Sequence, residues 1–402
     1  MLPSEMHEEL FIRNFGPLKD IRLSEIRPVM VFVGTTGSGK SLLLKVLTMV
    51  RHIAKKSIIR EALKSSGIKR SPFRLRLDTY LQFSNFEALL RPDSEIRYRL
   101  EWGNGQGCMV SITQKKGLVV DEPKRRKAVG PFLKLAFIGD LRNLVASWTQ
   151  KSSLAQQART LDNHFAETLA LWEEARDNLK PEGAELGFLK ATITREKKNG
   201  DRPKVYLNSP DGRRTPLERS ASGQKSSVSL ALIVSYLMKS YDFSAAIKRS
   251  YLEMLLAGLM EQEGGADLPT RQPIQRFPSY FLGIMVEEPE LSLDPETQIR
   301  LADEVMRCFD YQRRELSVPL TTSILFTTHS PYWIVALNTI LQERSCASLI
   351  WSRLGGYLIT SEGTLQDLRD EEAQLLATPN MDATTLLLDE RYNRALMKEA
   401  RQ

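Results

Sequence analysis

The segment from Gly34 to Ser41 constrains this chain more than any other part of it. Its eight residues, GTTGSGKS, match the pattern G-x-x-x-x-G-K-[ST] at every fixed position. In that pattern the glycines let the loop turn back, so that successive amides point at phosphate oxygens beside a helix start. The lysine reaches the β- and γ-phosphates, and the following hydroxyl binds Mg²⁺. The residues predicted to bind phosphate or Mg²⁺ here are Gly34, Thr35, Thr36, Gly37, Ser38, Gly39, Lys40 and Ser41.

The flanks of this loop predict an α/β fold. Residues 28–33, PVMVFV, form a short apolar and β-branched run that is typical of a buried strand. From Ser41 to about Lys64, apolar residues recur at helical spacing. Strand, glycine loop and helix therefore occur in the order that a phosphate-binding loop requires.

Composition sets only broad limits on the class of protein. At 402 residues, with 42% hydrophobic and 26% charged residues, the chain has ordinary globular usage and room for two or three structural units. No apolar run approaches bilayer-spanning length, and the first residues are acidic rather than basic and apolar, so we expect no membrane partner and a cytoplasmic location. The three cysteines are too scattered to predict a zinc site or a disulfide framework.

Two further strand candidates end in side chains suited to phosphate chemistry. The run 280–286 is followed by Glu287, Glu288, Pro289 and Glu290, and ligands of open parallel sheets bind at the carboxyl ends of strands. We expect Glu287 to hold Mg²⁺ through water, and Glu288 to orient the attacking water. The alternative is an acidic, solvated loop after a core strand.

The run 323–328 is followed by His329, where a neutral imidazole could hydrogen-bond the γ-phosphate or the attacking water. A structural histidine is the alternative. Residues 220–224, SASGQ, precede an apolar helix from Ser226 to Lys239, so they lie at a helix start suited to an anion. A plain helix N-cap is the alternative there.

Together and in this order, these motifs resemble the ABC-type ATPases that are not transporters, the class that contains SMC and DNA-break-repair ATPases and the OLD-like ATPases. The resemblance rests on the opening LFIRNFGPLK (10–19), the Walker A loop (34–41), a signature (220–224), Walker B (284–288), a D-loop at 292–295 and a switch histidine, His329. The acidic run 287–290 is closer to the OLD-like branch, because transporters usually carry Asp before the catalytic Glu.

The resemblance implies a P-loop NTPase fold of ABC type: a mainly parallel core sheet flanked by helices, an antiparallel β subdomain and a helical lid or arm. It implies ATP and Mg²⁺ as cofactors, Glu288, His329 and Lys40 as catalytic residues, and Ser41 and Glu287 as metal ligands. Two copies would sandwich ATP in a homodimer or higher homo-oligomer. The further nucleotide contacts are Ser222, Gly223, Gln224 and Asp294.

The chain departs from the family pattern in the signature and in the Q-loop. Ala221 stands where the signature serine is expected, so that Ser222 or Ser220 must supply the hydroxyl. Gln82 and Gln114 are candidates for the Q-loop glutamine, and Arg142 is a candidate for a related role.

The predicted organisation has four parts. Residues 1–142 carry Walker A and the antiparallel subdomain, 143–240 the helical arm and the signature, 241–278 an insertion, and 279–402 Walker B, the D-loop and the switch histidine. An amphipathic helix of about seven turns is predicted from the spacing of Leu154, Ala158, Leu161, Phe165, Leu169 and Trp172.

The resemblance favours an ATP-driven sensor that controls a separately encoded effector, a nuclease or toxin, as in bacterial anti-phage defence. After His329 the sequence has no Asp-x-Asp pair of the kind used by the nuclease domain of OLD-like nucleases. A transporter subunit is the weakest alternative.

Charge supports a second hypothesis, a DNA-binding ATPase of the repair or chromosome-maintenance kind. Residues 51–76 hold nine Lys or Arg and one acid, in a chain whose net charge is +7. His52, Lys56, Arg60 and Lys64 recur every four positions, and residues 124–127 add a second basic cluster. Such a stripe predicts non-specific, salt-sensitive contact with DNA through 51–76. A solvated helix face is the alternative.

Overall fold

A computed structural model describes residues 6–65, 75–103, 105–121, 129–147, 163–196, 203–261, 277–311, 313, 315–378 and 387–392, without the side chains of 253–261. The strands are β1 (His7–Phe15), β2 (Leu18–Leu23), β3 (Val29–Val33), β4 (Glu95–Trp102), β5 (Gln106–Thr113), β6 (Gly117–Asp121), β7 (Phe132–Ile138), β8 (Ala184–Leu186), β9 (Ala191–Glu196), β10 (Lys204–Asn208), β11 (Arg214–Pro216), β12 (Tyr280–Glu287), β13 (Leu320–Thr328), β14 (Leu354–Ile359), β15 (Leu365–Asp367), β16 (Arg369–Asp370) and β17 (Leu375–Leu376). The helices are α1 (Lys40–Ser65), α2 (Leu77–Phe83), α3 (Arg142–Val145), α4 (Asn163–Asp177), α5 (Ser222–Lys239), α6 (Phe243–Glu261), α7 (Pro295–Phe309) and α8 (Pro331–Glu343).

A six-stranded sheet forms the core, in the order β15-β14-β3-β13-β12-β7. All its pairings are parallel except that of the edge strand β15. Every residue of β3 and β12 is buried, because parallel sheets are covered on both faces, and this explains their continuous apolar runs. Helix α1 contacts β7, β12 and β13, and α4 contacts β7. The predicted α/β class is confirmed.

A five-stranded antiparallel sheet, β2-β1-β4-β5-β6, lies against α1 through β5. A second antiparallel sheet, β11-β10-β9-β8, directly precedes α5 in the chain. The sequence predicted one antiparallel subdomain; the antiparallel pairing is confirmed, but the strands form two separate sheets. The chain turns between β8 and β9, with Lys190 in the left-handed region at φ 49°, so this segment forms a small hairpin in a separate sheet.

A buried ion pair joins the five-stranded sheet to α1 and the core sheet. The Arg51 guanidinium is fully buried and donates two hydrogen bonds of 2.8 Å to the Glu8 carboxylate. The Tyr98 hydroxyl donates to the same carboxylate at 2.5 Å. On its other side, the Arg51 guanidinium lies 5.3 Å from the Phe281 ring and contacts Met285 Sδ at 3.4 Å. One charge pair thus ties β1 and β4 to the helix that begins with Lys40.

This ion pair corrects the predicted basic stripe, because Arg51 is not available to a phosphate backbone. Lys56 lies 5.0 Å from the centroid of the Tyr80 ring, and Lys64 pairs with Glu61 at 2.5 Å. Residues 66–74 and 124–127 lie outside the described residues. Burial also lowers the pKa of His52 to about 3, so that it carries no positive charge near neutral pH. The predicted DNA contact through 51–76 therefore remains a prediction that no longer includes Arg51 or His52.

The described part of the predicted amphipathic helix is α4, whose Phe165, Leu169 and Trp172 are buried as the spacing predicts. Leu154, Ala158 and Leu161 lie outside the described residues. No single helix in the described part of the chain is long and apolar enough to cross a membrane, and α5 with Phe243–Leu252 passes that test only as a pair bent by 94°. The four-part domain division stays a prediction.

Candidate functional site

The predicted site residues follow the carboxyl ends of parallel core strands. The loop 34–41 follows β3, the acidic residues 287–290 end and follow β12, and His329 follows β13. The loop 139–142 follows β7. Because parallel strands end at the same edge of a sheet, these loops meet there, which is where ligands of such sheets bind.

The backbone of the 34–41 loop requires its glycines. Gly37 and Gly39 have φ values of 81° and 102°, which only glycine adopts readily. A Cβ atom on Gly34 would lie 2.6 Å from Ser38 Oγ, and one on Gly39 would lie 2.7 Å from Leu18 Cδ2. No side chain fits at either position without a shift in its surroundings. The Ser38 hydroxyl is buried and has no hydrogen-bond partner among the described residues.

Lys40 lies across this loop and donates hydrogen bonds to the carbonyls of Gly34 at 2.8 Å and Thr35 at 2.9 Å. Its Nζ is also 3.5 Å from His329 Nδ1. Burial lowers the pKa of Lys40, and the negative charges of Glu288 and Glu290 act in the opposite direction. The lysine is thus held at the point where the three strand ends meet.

Glu287 is suited to bind a divalent cation. Its side chain is 3% exposed, and its Oε1 has no hydrogen-bond partner among the described residues. Burial raises its pKa to about 7, against the effects of the positive charge of Lys45 and a hydrogen bond from Ser41. A buried carboxylate beside a hydroxyl at the predicted phosphate-binding loop fits Mg²⁺, which prefers oxygen ligands and retains waters. Ser41 and Glu287 are the residues that would hold it.

Glu288 and His329 face each other. His329 Nε2 lies 3.5 Å from Glu288 Oε1, and both side chains are about one third exposed. Glu288 has φ 45°, in the left-handed region that non-glycine residues rarely adopt. Backbone strain of this kind is concentrated at functional sites. Lys40, His329 and Glu288 thus form a continuous chain of polar contacts.

Glu290 positions His329, a role that the sequence analysis did not assign. Its Oε1 accepts hydrogen bonds from the backbone amides of His329 at 2.7 Å and Ser330 at 3.3 Å. Ser330 caps α8, and its hydroxyl donates to Gln298 on α7 at 2.6 Å. The sequence signal was the third acid of the run 287–290, four residues before the D-loop Asp294.

Arg142 connects the β7 loop to the Walker B residues. Its fully buried guanidinium donates to the carbonyls of Gly139 at 3.1 Å and Glu287 at 2.6 Å, and to that of Glu288. Burial lowers its pKa to about 10, against nearby carboxylates. Gln114 lies instead in the β5–β6 turn and Gln82 near the end of α2. Of Gln82, Gln114 and Arg142, only Arg142, the candidate for a related role, is connected to Walker B by these hydrogen bonds.

The signature residues lie at the start of α5, against the D-loop of the same chain. Ser222 is exposed, whereas Gly223 packs on the carbonyl of Ser292, leaving no space for a Cβ atom. Gln224 Oε1 accepts a hydrogen bond from the Ala221 amide at 3.3 Å. Asp294 caps α7 by accepting hydrogen bonds from the amide and hydroxyl of Thr297. Ser222 is therefore available to a second molecule, and Asp294 has a structural role within the chain.

The chain resembles known proteins only in structure. No family model and no curated protein matches it. Among solved structures, it is similar to an SMC head domain from Thermotoga maritima, with 14% identity, TM-score 0.37, and coverage of 88% of this chain and 94% of that one. It is also similar to an Smc head domain of Pyrococcus furiosus bound to the C-terminal domain of ScpA, with 10% identity, TM-score 0.41, and coverage of 96% and 100%.

A structure of the recombination mediator protein RecF-ATPrS in the RecFOR pathway matches with 12% identity and TM-score 0.33, over 91% of this chain and 98% of that one. These sequence identities and TM-scores are too low to assign the chain to a family. The functional conclusion therefore depends on the geometry of the site.

Proposed function

We propose that this protein is an ABC-type P-loop ATPase that converts ATP and water to ADP and phosphate with the help of Mg²⁺. The observation that carries the proposal is the contact chain from Lys40 through His329 to Glu288, beside the buried Glu287 and Ser41. Three separate strands deliver these groups to one edge of the core sheet. Each group matches one requirement of phosphoryl transfer to water.

In the proposed reaction, amides of the 34–41 loop and Lys40 bind the β- and γ-phosphates. Mg²⁺, held by Ser41 and Glu287, would neutralise charge on those phosphates. Glu288 orients a water and accepts its proton as the water oxygen attacks the γ-phosphorus and the bond to the β–γ bridging oxygen breaks. His329, held by Glu290 through two backbone amides, stabilises the γ-phosphoryl group through an imidazole hydrogen bond.

Two substitutions test these roles. Lys40→Ala is expected to abolish ATP binding, since the ammonium group is lost from the loop. Glu288→Gln is expected to retain ATP but slow turnover by about 10²- to 10⁴-fold, the usual contribution of a general base. Glu182→Gln, on the exposed loop before β8, is the matched control and should hydrolyse ATP at the parental rate. Parental turnover in either site variant would refute the assignment of that residue.

We further propose that ATP joins two copies, with Ser222, Gly223, Gln224 and Asp294 of one copy facing the 34–41 loop of the other. The exposure of Ser222 at a helix start supports this, because such an end attracts phosphate. Light scattering of Glu288→Gln should show a dimer with MgATP and a monomer without nucleotide. Introducing Ser222→Arg should remove the dimer while single-site ATP binding persists; an unchanged dimer would refute the shared site.

For the biological role, we propose a cytoplasmic ATP-dependent switch that controls a separately encoded effector, a nuclease or toxin. The support is the resemblance of residues 287–290 and of the motif order to the OLD-like class. Purification from the source organism should yield a stoichiometric nuclease or toxin. Purification without a companion, together with tight and salt-sensitive DNA binding, would instead support the DNA-binding alternative.

A further inference from the structure

A cavity of about 220 Å³ lies between α1, α2 and α4. Its walls include Thr48, Met49, His52, Tyr80, Phe83 and His164. None of its lining residues belongs to the loops 34–41, 287–290, 329–330 or 139–142, so it is separate from the site proposed for ATP. Thr48, Met49 and His52 lie on α1, the helix that begins with Lys40.

Two residues that line this cavity each carry a buried polar atom with no hydrogen-bond partner among the described residues. Tyr80 is 7% exposed, and its hydroxyl is buried without a partner. The Nε2 atom of His52 is also buried without a partner. Unsatisfied buried polar groups are rare in folded proteins because each one destabilises the folded state. Two of them beside one cavity point to a partner outside the described residues.

Both groups are uncharged near neutral pH. Burial raises the pKa of the Tyr80 hydroxyl, so that it remains a hydrogen-bond donor. Burial, reinforced by the charges of Lys55 and Lys56, lowers the pKa of His52 to about 3. The imidazole is therefore neutral, with one nitrogen that donates and one that accepts.

The other walls favour a flat, aromatic occupant. The His164 ring meets the Phe83 ring edge-on, with centroids 5.5 Å apart and an interplanar angle of 83°. The Lys56 ammonium lies 5.0 Å from the centroid of the Tyr80 ring. Aromatic rings prefer stacked or edge-to-face neighbours. The lysine charges around His52 disfavour a cationic ligand.

We propose that this cavity binds a small planar heteroaromatic molecule, neutral or singly negative, whose hydrogen-bond acceptor edge meets the Tyr80 hydroxyl and His52. The cavity is smaller than the roughly 300–1,000 Å³ typical of sites for drug-sized ligands, so the ligand has one or two rings. Its place on α1 puts the ligand on the helix that carries Lys40 and Ser41 at its start.

The test is saturation-transfer NMR on the whole chain, with hypoxanthine and nicotinate as probes and benzylamine as a cationic comparison. Transfer is expected to at least one of the first two probes and not to benzylamine. Saturating MgATP should leave the signal unchanged, which separates this cavity from the nucleotide site. No transfer to either probe, loss of transfer with MgATP, or equal transfer to benzylamine would overturn the proposal.

Tyr80→Phe provides the decisive variant, because it removes one oxygen and preserves the ring. We expect about tenfold weaker probe binding, the effect of losing one neutral hydrogen bond. We also expect a higher melting temperature without ligand, because the unsatisfied hydroxyl is gone. Tyr311→Phe, at a side chain that is 47% exposed, is the matched control and should change neither property.

His52→Phe tests the second polar group and should weaken probe binding while retaining a ring at that position. A Tyr80→Phe variant that binds both probes as tightly as the parent protein would refute the proposed ligand site. So would a Tyr80→Phe variant with a lower melting temperature, since that would show that the hydroxyl is already satisfied within the folded chain.

Discussion

The buried pair between Glu8 and Arg51 gives the sharpest stability prediction. We consider Arg51→Met, which replaces the guanidinium with an apolar chain among Phe281 and Met285. The substitution leaves the Glu8 carboxylate buried, with the Tyr98 hydroxyl as its remaining donor among the contacts described above. We expect it to lower the free energy of unfolding by about 3–5 kcal/mol, the typical effect of removing one partner of a buried ion pair.

Adding Glu8→Gln to Arg51→Met should recover part of that loss, because the amide is neutral and still accepts the Tyr98 hydrogen bond. Glu8→Gln alone should also destabilise, since it leaves the fully buried Arg51 without a countercharge. The double variant should therefore be more stable than the sum of the two single effects predicts, by about 2 kcal/mol or more.

Urea denaturation of the four proteins measures this coupling. The control is Arg22→Met, which breaks the ion pair with Asp20 on β2, where the Arg22 side chain is 73% exposed; its effect should be much smaller than that of Arg51→Met. The reasoning is refuted if Arg51→Met costs no more than the control, or if the effects of Glu8→Gln and Arg51→Met simply add.

Three further predictions concern the site. Burial raises the pKa of Glu287 from 4.5 to about 7, so that without Mg²⁺ the free energy of unfolding should fall as the pH rises between these values, by at most about 3 kcal/mol. Glu287→Gln should remove this pH dependence in urea titrations. A pH dependence that persists in this variant would point to another group. Gly223→Ala should lower the free energy of unfolding by about 1–3 kcal/mol, because the new methyl group overlaps the Ser292 carbonyl. An unchanged melting temperature in calorimetry would contradict that packing. Asp294→Ala should lower the free energy of unfolding by about 1 kcal/mol because the cap of α7 is lost, whereas Asp294→Asn should lower it by less. Equal losses of stability in thermal denaturation would argue against capping.

The sequence was most informative where local chemistry has few alternatives. A continuous apolar run followed by a glycine loop correctly predicted β3 and α1, because a strand that is buried on both faces and a loop that requires glycine leave clear patterns. The runs before Glu287 and His329 correctly predicted β12 and β13, within a few residues at their ends. The sequence was interpreted as a parallel α/β fold, and this interpretation alone predicted that the strands end at the same edge of the sheet.

What the sequence did not indicate depends on contacts between distant residues. Arg51 was counted as a surface charge, because nothing in a helical stripe of basic residues shows that Glu8 lies opposite one of them. Glu290 received no role, because its partners are backbone amides that only the fold brings near. The hairpin of β8 and β9 depends on a turn at Lys190, with no Gly or Pro at that position to mark it.

The strand order of the core sheet also constrains how the chain is made. Strand β3, which leads into the 34–41 loop, pairs with β13 on one side and β14 on the other, so that Val29 lies beside Ile324 and Leu354. On the ribosome, both neighbours of β3 emerge only after most of the polypeptide has been synthesised. The five-stranded sheet, by contrast, is complete once Asp121 has emerged. Long-range parallel pairing of this kind is slow and leaves strand edges exposed to aggregation. Nascent chains should therefore gain the proposed nucleotide-binding ability abruptly and late, and truncated products should depend on chaperones.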